Sequence, residues 1–75
     1  MKKTKEIYFY PKLRGKRCEL GYTLDNMASF LGITKNSYFR KEKGKTDFSL
    51  WEVRKILEIL HSSYDEIFFI DNVNQ

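Results

Sequence analysis

The side chains with most chemical potential crowd into one stretch, Thr34-Lys-Asn-Ser-Tyr-Phe-Arg-Lys-Glu-Lys-Gly-Lys45. Residues 35–45 hold five basic side chains (Lys35, Arg40, Lys41, Lys43, Lys45) against Glu42, a net of +4, and only Tyr38 and Phe39 are apolar. Ammonium and guanidinium groups donate hydrogen bonds and attract anions, and the Asn36 amide both donates and accepts. Such a set suits recognition of an anionic partner rather than the making of bonds. No His/carboxylate pair, nucleophile elbow or phosphate loop occurs anywhere, and the single Cys18 has no activating partner evident in the sequence. One Cys and one His, His61, leave no disulfide and no metal cage, so neither enzyme chemistry nor a cofactor or metal is expected.

Charge alone does not decide between a ligand-facing surface and an ordinary solvated one; the elements that carry it must. The chain has 75 residues, 41% apolar and 32% charged, which is the composition of one small folded domain. Its core is expected over 11–69, with 1–6 and 71–75 as flexible flanks. Residues 1–17 carry seven basic side chains against Glu6, and residues 46–75 carry Arg54 and Lys55 against six acids, so the basic charge is concentrated toward the front. No apolar run approaches the ~20 residues of a membrane span, and Ile7-Tyr-Phe-Tyr-Pro11 is too short for a signal-peptide core. A cytoplasmic chain with no membrane partner is expected.

The hydrophobic spacing predicts five short helices, an all-α fold. Pro11 suits the first position of a helix ending near Gly21, with Leu13, Arg17 and Leu20 on one side. Thr23 caps a second helix whose apolar stripe is Leu24, Met27, Ala28 and Leu31, stopped by Gly32. Thr34 caps a third, running to about Lys43 and ended by Gly44. Ser49 and Glu52 have the spacing of a capping box and open a fourth helix with Leu50, Val53, Ile56, Leu57 and Leu60 as its stripe. Ser63 and Glu66 repeat the pattern before a short fifth helix through Ile67 and Phe68.

An apolar helix, a tight Gly32-Ile-Thr34 turn and a narrow-striped basic helix have the layout of a helix-turn-helix. At this point the sequence resembles the Cro and lambda-repressor-like (XRE) family. The residues that carry the likeness are Leu13-Arg-Gly-Lys-Arg17, Gly21-Tyr-Thr-Leu-Asp-Asn-Met-Ala28, Leu31-Gly-Ile-Thr34, Tyr38 and Glu42-Lys-Gly-Lys45. Leu50, Val53, Ile56, Leu60 and Asp65-Glu-Ile-Phe68 continue it, so that it covers about 12–69. The short length and the Tyr38 to Phe48 stretch look like small regulators of phages or mobile elements of Gram-positive bacteria.

The resemblance implies a sequence-specific regulator of transcription, a repressor, that inserts helix 34–43 into the major groove of double-stranded DNA. It places Lys35, Asn36 and Arg40 at base-reading positions, which fits their ability to pair with guanine or adenine edges. Thr34, Ser37 and Phe39 fall at backbone or accessory positions, Lys43 and Lys45 where the family grips phosphate. Arg17 and Glu42 stand where the family has a buried ion pair. Leu24 departs from the pattern: the family commonly has Gln there, touching phosphate or bracing the recognition helix.

The other readings are plainer. Tyr38 belongs to the core, and Phe39 serves equally as a packing residue. Trp51 and Ile59 fall off the main stripe of the fourth helix and would be exposed in a monomer; with Phe69 and Ile70 they could form a dimer patch. A homodimer is expected because one helix reads few base pairs, and two spaced ~34 Å apart restore specificity. Residues 7–10 are expected as a strand or extended segment against residues 67–70, and His61 to complement the dipole of the fourth helix. The rival reading is a protein-interaction module, an antitoxin or a modulator of another repressor, supported by the exposed aromatic residues and the acidic C-terminal section.

Overall fold

The structure is a computed structural model, and residues 10–68 are described. It contains α1 (Pro11–Glu19), α2 (Leu24–Leu31), α3 (Lys35–Glu42), α4 (Leu50–Leu60) and α5 (Tyr64–Phe68), with no strand among the described residues. The expected flanks, and Ile7 to Phe9, Phe69 and Ile70, lie outside the described residues.

Local chemistry accounts for the helix starts. Pro11 occupies the first turn of α1. The Thr23 and Thr34 hydroxyls accept from the Asn26 and Ser37 amides at 3.0 and 3.1 Å. Ser49 with Glu52, and Ser63 with Glu66, form reciprocal boxes. Thr23 and Asn26 form another, with the Asn26 side chain accepting from the Thr23 amide at 2.9 Å. Spacing alone does not reveal this box, because its third position holds Asn26 where the usual pattern has Glu or Gln.

The first four helices end alike. A residue turns left-handed (Gly21, Gly32, Gly44 and His61), and the next amide reaches back five residues. These bonds are Tyr22 to Arg17, Ile33 to Ala28, Lys45 to Arg40 and Ser62 to Leu57, at 2.8–3.0 Å. This satisfies carbonyls that the helix leaves open and makes each turn compact. Only at His61 does a side chain have to tolerate that conformation.

Every helix contributes to one core: Leu13, Met27, Ala28, Leu31, Tyr38, Ile56, Leu60, Ile67 and Phe68 are buried. Phe48, in the α3–α4 loop, sits among Tyr10, Tyr38 and Phe68 with ring centroids 5.6–6.0 Å apart. Tyr10 also meets Phe68 edge-on at 5.3 Å. Residue 10 therefore does approach the α5 region, though in no strand.

Three expectations are corrected. Leu50 is not part of the α4 stripe but 69% exposed. Glu52 is buried instead, and residues two apart on a helix point about 200° apart, so a helix that buries Glu52 turns Leu50 outward. Leu20 is 42% exposed because α1 ends at Glu19 and Leu20 belongs to the cap. Ile59 is half-buried and packed against the core rather than exposed.

Candidate nucleic-acid interface

α2 and α3 pack against each other across the Gly32–Thr34 turn, with Ile33 half-buried against the core. On α3, Tyr38 and Glu42 are fully buried while Lys35, Asn36 and Arg40 are exposed. Asn36 and Arg40 are four residues apart, as are Tyr38 and Glu42, and at 3.6 residues per turn the two pairs point about 160° apart. One face is anchored inside and the opposite face is presented.

The anchor is ionic. Arg17 donates to Glu42 from two nitrogens, Nε to Oε2 at 2.8 Å and Nη2 to Oε1 at 3.0 Å. Its Nη1 donates to the Tyr22 carbonyl at 3.0 Å, and the Tyr38 hydroxyl donates to Glu42 Oε2 at 2.8 Å. A buried carboxylate is tolerable only when paired and hydrogen-bonded in this way. Three hydrogen bonds from Arg17 thus tie α1, the α1–α2 turn and α3 together, and the Tyr38 hydroxyl braces the carboxylate from within α3. Burial by itself would lower the Arg17 pKa; the hydrogen bonds and charge of Glu42 outweigh it and raise it. Burial, and then the Glu42 charge, push the Tyr38 hydroxyl far above the ordinary tyrosine range.

The remaining cations divide in a way their sequence positions do not show. Lys41 is held at the base of α3: its Nζ donates to the Asp47 carbonyl at 2.9 Å and pairs with Glu52 Oε1 at 3.1 Å. That clamp fixes the basic loop between α3 and α4 and joins it to the capping box of α4. Lys43, the C-cap of α3, lies over the half-buried Phe39 ring at 5.1 Å. Lys45 is exposed on the loop. Thr34 is exposed, and Ser37 is half-buried beside it.

At the other end of α3, Lys35 lines an open cleft with Arg14, Cys18, Thr23 and Asp25. Arg14 is a cation the sequence reading left in the general basic charge of the first helix; its position one turn before Arg17 was the available signal. Leu24 lines the same cleft and is partly buried against the core. Cys18 is an exposed free thiol. Trp51 is 56% exposed on α4, away from α3's presented residues in sequence. No group of three or more metal-binding side chains occurs among the described residues, and none of their helices is long and apolar enough to cross a membrane.

A two-helix unit with a compact turn, its second helix bolted down on one side and cationic on the other, is a helix-turn-helix. The sequence pattern of that family matches residues 13–67, which is most of the chain. The chain belongs to the XRE-type helix-turn-helix family. It is 39% identical over 57 residues to YonR, a prophage-derived uncharacterised HTH-type transcriptional regulator of Bacillus subtilis strain 168; the match covers 76% of this chain and 53% of YonR. It is also 36% identical over 47 residues to a candidate HTH-type transcriptional regulatory protein of Saccharolobus islandicus, covering 63% of this chain and 15% of that protein. A protein of the same description in Saccharolobus solfataricus matches at the same identity and coverage. The chain therefore spans a small fraction of the archaeal relatives and about half of the Bacillus one. No solved structure matches it significantly.

Proposed function

We propose that this helix-turn-helix chain is a DNA-binding regulator of transcription, a repressor, that works as a pair of copies on one duplex. α3 enters the major groove, Lys35, Asn36 and Arg40 meet base edges, and Thr34, Ser37 and Phe39 make accessory contacts. Lys43 and Lys45 hold phosphate from the α3–α4 loop. The observation that carries this reading is the division of α3: Tyr38 and Glu42 are fixed in the interior while Lys35, Asn36 and Arg40 stand exposed. Donors of this kind read guanine and adenine edges from a rigid helix. The names of its relatives, regulators of transcription in a prophage and in archaea, agree with it.

Selection of bound fragments from a random duplex pool identifies the operator, and its half-site symmetry reports the two-copy arrangement. Against that operator, replacing Lys35, Asn36 and Arg40 by alanine is expected to weaken binding by about 1–3 kcal/mol at each base-reading position. Helical content and melting temperature should stay at wild-type values, because all three side chains are exposed. Unchanged operator affinity in the folded triple variant overturns the reading.

A further inference from the structure

We infer that the outer face of α4 is where two copies of this chain pair, and that Arg54 and Glu58 set the register. This rests on the two-copy reading above and adds the surface to it. Trp51, Arg54 and Glu58 are exposed, and with Lys55, Leu57 and Ser62 they line an open groove that runs along α4 into the α4–α5 turn. Leu50, 69% exposed, extends its apolar end. Residues 51, 54, 55 and 58 follow the helical repeat, so they share one face, opposite the buried Glu52, Ile56 and Leu60.

The order of charge along this face identifies the occupant. From the N-terminal end it reads apolar, basic, acidic: Trp51, then Arg54 and Lys55, then Glu58. Arg54 meets no acidic side chain within ion-pair range among the described residues, although Glu58 lies one turn away. Among the described residues Glu58 pairs only with Lys55, and loosely, at 4.0 Å. In an antiparallel pair of α4 helices the numbers of facing residues have a constant sum. Setting Arg54 opposite the second copy's Glu58 also sets Glu58 opposite its Arg54. Trp51 then falls opposite the far end of the groove, beside Ser62. A parallel arrangement, or an antiparallel one slipped by a turn, puts like charges together. The face is thus complementary to itself in a narrow range of two-fold registers, with Arg54 or its neighbour Lys55 opposite the second copy's Glu58, as an isologous interface requires, and Trp51 is the anchor, a residue type enriched among binding hot spots.

The position also serves the reading it deepens. α4 begins directly after the loop that carries Lys43 and Lys45, and the Lys41–Glu52 pair ties its first turn to α3. A pair built on α4 therefore fixes the two α3 helices relative to each other.

The test is the apparent mass of the full chain in sedimentation, without DNA, across a concentration series. The wild type should self-associate. Arg54→Glu and Glu58→Arg should each weaken association about tenfold, since each reversal makes two symmetry-related pairs repulsive. Mixing the two single variants, or combining both changes in one chain, should restore it. Trp51→Ala should weaken it by about thirtyfold, and circular dichroism checks that each variant is folded. A wild type that stays monomeric at its highest soluble concentration overturns the surface, and so does a dimer indifferent to the reversals. Duplex binding measured separately shows whether the DNA reading stands in either case.

Discussion

The Arg17–Glu42 pair is a stability device whose cost of removal depends on which partner is left behind. Arg17→Ala strands a fully buried carboxylate, with only the Tyr38 hydroxyl still donating to it. Leaving one ion of a buried pair uncompensated costs about 3–5 kcal/mol, to be read as a lower denaturant midpoint; a midpoint equal to wild type would contradict the role. Tyr38→Phe keeps the ring and removes one hydrogen bond to a charged acceptor, a loss of about 1.5–3 kcal/mol. It should also change the alkaline limb of stability. The Tyr38 hydroxyl is held protonated above the ordinary value of 10.0, chiefly by burial, whereas the unfolded tyrosine ionises there. The stability it contributes is whole below pH 10 and drains away as pH rises beyond it. Melting temperature above pH 10 should therefore fall less steeply in Tyr38→Phe than in wild type, with a residual slope from Tyr10, which burial shifts in the same direction.

At the scale of the element, three of the first four helices end on glycine, and α4 ends on His61 at φ 51°. A β-carbon is strained in that conformation and glycine is not, though glycine has more freedom to lose on folding. His61→Gly should stabilise the domain by about 0.5–1 kcal/mol, seen as a higher urea midpoint with an unchanged slope. The ends of helices were the most legible part of the sequence, because a cap is a contact between residues three to five apart and its partners are adjacent in the chain. Ser49 with Glu52 and Ser63 with Glu66 could be read from spacing alone. The α4 stripe was less legible. Leu50 and Leu57 differ by seven residues and so share a face in any periodic reading, but α3 supplies Lys41 beside the first turn of α4 and draws Glu52 inward. Leu50 lies outward where Glu52 lies inward, and the Lys41 contact that meets Glu52 there crosses between helices, beyond any pattern within one helix.

For the whole molecule, the exposed cations are spread over α1, both ends of α3 and the loop beyond it, so binding to a polyanion should depend strongly on salt. Lys45→Ala should weaken binding to operator and to unrelated duplex alike, and lower the slope of log affinity against log salt by about 1, measured by titration at several salt concentrations. A loss confined to the operator would place Lys45 on a base instead. Composition and periodicity by themselves determined that the described residues form five short helices, where the turns between them fall, and that one helix is too polar around its circumference to be buried. Those properties depend on neighbours in sequence, and the amino acids carry them locally. Tertiary structure decided which cations are spent inside the molecule and which face outward. Lys41 and Arg40 are adjacent and equally basic, yet Lys41 is clamped by Asp47 and Glu52 while Arg40 stands exposed. That division follows from a rotation of about 100° per residue against a fixed neighbouring helix, and only the packed fold supplies the neighbour.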